Sequence, residues 1–215
     1  MVKKLQIFDS TLRDGAQSAN ISFSVDDKLK VIRTLDELGV TFIEAGNPFS
    51  NPAEMQFFKK ARSMQLKNAK LVAFGSTRRK NIACEEDGNL QSLLSAGTEY
   101  VAIFGKSHIT HVTEVIKAAP EENLAMIEES VRFLTEHGKK VIFDAEHFFD
   151  GYKADPRYAT AALESAAAGG AYALCLCDTN GGLFPDEARE ITSEVTEKFP
   201  SLICLLYTSP SPRDI

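Results

Sequence analysis

From Lys140 to Gly182 the chain reads KVIFDAEHFFDGYKADPRYATAALESAAAGGAYALCLCDTNGG, and this stretch decides the fold. It holds two short apolar runs, KVIFDAE from Lys140 and YALCLCD from Tyr172. Between them lies DPRYATAALESAAAGG, an alanine-rich segment that opens on Asp-Pro and closes on Gly-Gly. A strand, a helix with proline at its start and glycine past its end, and a second strand make one βα unit with a parallel return. Each strand ends in polar residues, Glu146-His147 in the first and Asp178-Thr179-Asn180 in the second. In parallel α/β folds, active sites are built at those carboxyl ends.

The same unit repeats toward the N-terminus. LQIFD from Leu5, TFIEAG from Thr41, KLVAFGS from Lys70 and YVAIFG from Tyr100 read as strands, with starts roughly 30 to 40 residues apart, the size of a βα unit. SVDDKLKVIRTLDELG has a Ser24 cap, acids in its first turn and Gly39 as its stop; Leu29, Ile32, Leu35 and Leu38 are expected on its buried face. PEENLAMIEESVRFLTEHG repeats the design between Pro120 and Gly138, and PDEAREITSEVTEKFP completes the set. Unbroken alternation predicts a parallel sheet, either a (β/α)8 barrel or a doubly wound sheet. No G-x-G-x-x-G follows the first strand, so the usual dinucleotide fingerprint is missing. The expected fold is therefore α/β, an incomplete (β/α)8 TIM barrel with about six βα units. Its catalytic part is placed at residues 1–203, because a barrel takes about 250 residues and the rhythm breaks after Pro200. CLLYTSPSPRD, Cys204 to Asp214, resembles the translation of a transposase sequencing adapter. Residues 204–215 are accordingly expected to be a non-native, disordered tail.

Of the 215 residues, 44% are hydrophobic and 25% charged, the balance of a globular chain with a sizeable core. A net charge of -6 and a pI near 5.3 disfavour nucleic acid and anionic membranes as partners and favour small substrates. The opening MVKKLQIFDS has no apolar signal core, and nowhere do about 18 apolar residues run together, so a cytoplasmic location is expected. Cys175 and Cys177 share one face of a strand; a strand-borne C-x-C without a second ligand pair reads as two reduced, buried thiols.

The strand ends collect acids, amides and cations. The first gives DSTLRDGAQ, in which Asp14 offers a hard anionic oxygen for Mg2+, Mn2+ or Zn2+ and Arg13 a permanent, forked cation for a developing oxyanion. A surface ion pair is the plain alternative for those two. Glu146 sits between aromatics and His147, where desolvation would favour a general acid or base; a structural salt bridge to Arg13 is compatible with that role. The Thr179 hydroxyl could donate to a substrate carboxylate or cap a turn. STRRK, residues 76–80, suits either coenzyme phosphates or a solvated basic turn. FGKS at 104–107 lacks the first glycine of a phosphate loop, and His108 and His111 lack a partner metal motif.

STLRDGAQ, FIEAGNPFSNP, FGSTRRK, FDAEHFFDGYK and CDTNGG, in this order, resemble the isopropylmalate and homocitrate synthase group of metal-dependent (β/α)8 acyltransferases. DAEHFFDGYK points to its citramalate-forming branch. The resemblance covers roughly residues 3 to 200 and implies a Claisen-type condensation of acetyl-CoA with pyruvate around a divalent metal. It implies Asp14 as metal ligand, Arg13 as oxyanion stabiliser, Glu146 as acid–base residue, Thr179 as carboxylate binder and Gln17 as pocket lining. It also implies a homodimeric full-length parent. The family's His-x-His ligands at the end of the seventh strand, and the asparagine nearby, have no counterpart here, and EAGNPFSNP departs from the more usual Gly-Gly-Trp-Pro loop. The chain as written is therefore expected neither to hold metal tightly nor to turn over. Two enzyme alternatives stay open, a sister synthase using 2-oxoisovalerate or 2-oxoglutarate and a metal-dependent aldolase or lyase. A third is a non-catalytic barrel remnant that acts as a binding module.

Overall fold

The computed structural model describes residues 5–208. Seven strands follow one another across a single sheet in chain order: β1 (Phe8–Asp9), β2 (Phe42–Gly46), β3 (Lys70–Ser76), β4 (Tyr100–Lys106), β5 (Lys140–Glu146), β6 (Ala173–Asp178) and β7 (Ile203–Thr208). The β1–β2, β2–β3, β5–β6 and β6–β7 pairings are all parallel. Sequential order with helical returns is the (β/α)8 plan, here incomplete. The helices are α1 (Val25–Leu38), α2 (Pro52–Ala61), α3 (Gly88–Ala96), α4 (Pro120–Glu136), α5 (Phe148–Ala154), α6 (Pro156–Ala168) and α7 (Pro185–Lys198). Among the described residues, no helix is long and apolar enough to cross a membrane.

The chain divides into two compact units, one running to Gly75 and adding Gly88–Ala102, the other made of Ser76–Asp87 and Ile103 onward. In the first, α1 starts on the expected cap: the Ser24 hydroxyl accepts from Asp27 N while Asp27 receives Ser24 N, and Gly39 closes it at φ 85°. Its buried face differs from the expected one. Leu38 is 77% exposed, whereas Lys28 and Asp36 point inward beside Ile32. Both polar side chains have partners that the helical period cannot reveal. Lys28 Nζ donates to Ala45 O at 3.1 Å and Glu54 Oε1 at 2.5 Å. The Asp36 carboxylate accepts from the amides of Lys67, Asn68 and Ala69 at 2.7–2.9 Å, tying α1 to the entry of β3. Burial alone would raise the Asp36 pKa, but those three amides outweigh it and hold it below the usual carboxylate range.

In the second unit Phe143, Phe148, Ile127 and Leu163 are fully buried. α6 begins on Asp155, whose carboxylate accepts from Arg157 N and Tyr158 N at 3.1 Å. Gly151 in α5 packs so tightly that a Cβ there would lie 2.6 Å from Ser107 O and 2.9 Å from His108 Cα. Because those atoms are backbone, Gly151→Ala should destabilise the chain by about 1–3 kcal/mol, read as a lowered Tm in a thermal melt.

β7 corrects the expectation of disorder over its own span. Its register runs from Ala173↔Ile203 to Asp178↔Thr208. CLLYT is apolar and β-favouring, and β6 offers an unpaired edge on that side, which is all that parallel pairing requires. The rest of the expected tail, 209–215, lies outside the described residues.

Candidate active site

In the first unit, the chain leaving β1 turns sharply. The amides of Arg13, Asp14 and Gly15 all donate to Ser10 O at 2.9–3.2 Å, and Asp9 receives the amide and hydroxyl of Thr11. Leu12, buried, anchors the turn. Arg13 is then fixed from three sides. Its Nε meets Glu44 Oε2 at 2.5 Å, its Nη1 meets Asp14 Oδ1 at 3.2 Å, and its guanidinium lies 4.2 Å from the centre of the Phe74 ring. Glu44, on β2, is fully buried. Burial pushes its pKa up to about 7, against the opposing pull of the Arg13 cation. Asp14 is half-buried, with 24% of its side chain exposed and Oδ1 facing Arg13.

A cavity of about 480 Å³ opens beside this corner, lined by Arg13, Gln17, Lys28, Asn47, Glu54 and Phe74 among others. Gln17 thus shares a cavity with Arg13. Gly46 stands at its wall with φ 136°, and any Cβ there would collide with the Glu54 carboxylate and the Lys28 ammonium. The AGNP version of this loop therefore serves a buried ion pair that approaches the backbone closely.

The second unit carries the other strand ends. Glu146, closing β5, forms an ion pair with Lys106, closing β4. Lys106 is itself placed by Asn123, which donates to Lys106 O at 2.8 Å and to Tyr158 Oη at 2.9 Å. After Glu146, His147 adopts the left-handed region at φ 55°, and its amide donates to Thr179 Oγ1 at 2.9 Å. Glu146 and Thr179 are thus linked through one peptide. With its oxygen occupied as acceptor, the Thr179 hydroxyl has a proton left to donate. Asp178 accepts from Gly182 N and Leu183 N and closes the turn after β6, a structural role.

His108 and His111 stack with ring centres 4.7 Å apart, and His147 meets His111 edge-on at 4.5 Å. Burial first, then the neighbouring histidines and Lys106, lower the His111 pKa. Of the FGKS residues, Lys106 serves Glu146 and the Ser107 hydroxyl donates to Glu146 O at 2.7 Å. In STRRK, Arg78 is not a solvated turn residue, although it borders a cavity with Arg79 and Lys80. It is buried and paired with Glu122 at 2.9 Å and Glu129 at 2.7 Å. Arg79 and Lys80 line a second cavity, of about 380 Å³, with Phe104, Lys106 and Met126.

Glu44, Phe74 and Lys106 were not singled out by the sequence. A lone acid inside the apolar run TFIEAG was the one available signal, since a buried carboxylate requires a partner.

The profile of the HMGL-like family matches residues 4–207, nearly the whole chain. The chain belongs to the HMGL-like family. Within it, the chain is 52% identical to a protein named (R)-citramalate synthase from Aquifex aeolicus over 199 residues, 93% of this chain and 38% of that protein. A Sulfolobus acidocaldarius protein of the same name is 48% identical over 90% of this chain and 37% of its own. A homocitrate synthase of Saccharolobus islandicus is 32% identical over 93% of this chain and 41% of its own. The chain therefore spans well under half the length of these relatives. Among solved structures, HMG-CoA lyase from Bacillus subtilis superposes with a TM-score of 0.74 at 19% identity, over 95% of this chain and 68% of that one. The Pseudomonas aeruginosa hydroxymethylglutaryl-CoA lyase gives 0.73 at 20%, over 92% and 65%. At such identities these two establish the HMGL-like barrel fold alone.

Proposed function

We propose that the chain is the barrel portion of a cytoplasmic, homodimeric (R)-citramalate synthase, which condenses acetyl-CoA with pyruvate on the branch leading to isoleucine. The observation that carries this reading is the step in identity over one and the same stretch, from 52–44% against five citramalate synthases to 32% against homocitrate synthases.

The side chains supply matching chemistry. In the condensation, the methyl group of acetyl-CoA loses a proton, the resulting enolate carbon bonds to the keto carbon of pyruvate, and the keto oxygen gains negative charge. Water then cleaves the thioester to release CoA. Arg13, rigidly held and permanently charged, suits the oxygen on which charge develops. Thr179 has a hydroxyl proton for the pyruvate carboxylate, Gln17 lines the cavity beside Arg13, and Glu146, paired with Lys106, is the acid–base group. Arg79 and Lys80 bring positive charge to the rim of a largely apolar cavity, and that charge would favour the acetyl-CoA phosphates.

Asp14 fits a divalent metal, for its partly exposed carboxylate is a hard oxygen donor just past a strand's carboxyl end. When bound, such a metal polarises the keto group and orients the keto acid. The donor set suits Mg2+, Mn2+ or Zn2+ alike.

A keto-acid panel on the enzyme restored to full length from its parent gene tests the reading, with CoA release as readout. Pyruvate should exceed 2-oxoisovalerate and 2-oxoglutarate in kcat/KM by at least about tenfold, the scale on which a pocket rejects added bulk. A preference for either larger acid would overturn the assignment, and the absence of CoA release with every acid would overturn the synthase reading itself.

A further inference from the structure

β5 and β6 gather a second set of donors, to which nothing above assigns a role. Their parallel register sets Asp144 beside Cys175, and Cys177, two residues on, projects from the same face. The two Sγ atoms lie 3.9 Å apart, and a carboxylate oxygen of Asp144 falls within 4.8 Å of both. All three residues are buried, with exposures of 4–7%.

That spacing discriminates between the things two thiols can do. Zinc bound at about 2.3 Å to each of two tetrahedrally disposed thiolates holds the sulfurs about 3.8 Å apart. The observed separation meets this with almost no movement. A disulfide would require the sulfurs to close to about 2.05 Å between residues two apart on one strand, whose Cα atoms stand near the far limit of bridge geometry. A third donor from the neighbouring strand supplies what the C-x-C pair lacked in sequence.

We infer that Asp144, Cys175 and Cys177 form a site for a thiophilic cation of the Zn2+ class, with three protein donors and a fourth position open. Thiolates select Zn2+ or Cd2+ over Mg2+, so this site and the oxygen donor Asp14 discriminate between metals by ligand type. Among the described residues, neither of the other two cysteines, Cys84 and Cys204, belongs to such a three-donor group.

Titrating the reduced chain with Cd2+ reads this directly through the ultraviolet thiolate-to-cadmium charge-transfer band. The band should saturate near equimolar metal and persist in excess Mg2+. It should be lost at equimolar Cd2+ in Cys175→Ser and Cys177→Ser, weaken in Asp144→Asn, and survive in Cys84→Ser and Cys204→Ser. Alkylation of the unsubstituted chain removes any dependence on variants that fail to fold: Cd2+ should protect Cys175 and Cys177 selectively. The inference is overturned by the absence of a band at equimolar Cd2+, by a band that persists when both serines are present, or by alkylation of Cys175 and Cys177 that Cd2+ does not slow.

Discussion

Arg13→Lys in the full-length enzyme should lower kcat by about 10²–10³-fold, the cost of losing one preorganised donor to a developing oxyanion. The size of the effect follows from how the guanidinium is held. It spans Glu44 through Nε and Asp14 through Nη1 while its face rests on Phe74, so its remaining N–H groups point in fixed directions. A lysine ammonium carries the same charge on a flexible stem and cannot reach both carboxylates in one plane. It would satisfy Glu44, the buried acid, and leave the reacting oxygen without an aligned donor. The loss should fall mainly on kcat, with KM for pyruvate changing less, because the interaction strengthens only as charge develops. Unchanged circular dichroism and Tm would confirm that the variant is folded. A kcat within about threefold of the parent would remove Arg13 from the oxyanion role.

Much of this was legible in the sequence, and the rest was hidden for definable reasons. KLVAFGS and KVIFDAE coincide with β3 and β5, because each is an apolar run bounded by a lysine and a polar end. The α1 limits were equally plain, since Ser24, Asp27 and Gly39 act locally. The inward face of α1 was misjudged because Lys28 and Asp36 are buried by partners on other elements, Glu54 and the 67–69 amides. α2 and α3 escaped notice, being short segments without the long apolar stripe of α1 or α4. Arg13, Asp14 and Gln17 follow β1 in the first unit, and Glu146 and Thr179 stand at the ends of β5 and β6 in the second, the strand ends where chemistry is expected. Glu44 and Asp144 lie within strands, and what they meet, Arg13 from the turn after β1 and Cys175 through the β5–β6 register, is not visible along one strand.

Glu44 is where stability and chemistry meet, and Glu44→Ala should cost about 3–5 kcal/mol, the price of breaking a buried ion pair by removing one partner. The loss is large because Arg13 keeps its charge, with only 15% of its side chain exposed, when its buried partner is gone. Glu44→Gln separates charge from shape and predicts a distinct pH response. Burial raises the folded-state pKa of Glu44 from 4.5 to about 7. The folded chain therefore holds a proton that the unfolded chain has released between those values. This contribution is fully present below about 4.5 and is lost as pH rises through about 7, so the parent should weaken across that window. Asp36 acts in the opposite sense and in a lower window, since its depressed pKa favours folding above the ordinary carboxylate range and loses that support only in stronger acid. Urea unfolding at several pH values should show a shallower decline between about 4.5 and 7 for Glu44→Gln than for the parent. Parallel curves would mean that Glu44 stays ionised throughout, its charge held by Arg13 alone. In the predicted case, the ion pair that fixes Arg13 strengthens as pH rises, and the neutral side of the window combines a slightly less stable fold with a better-anchored Arg13 guanidinium.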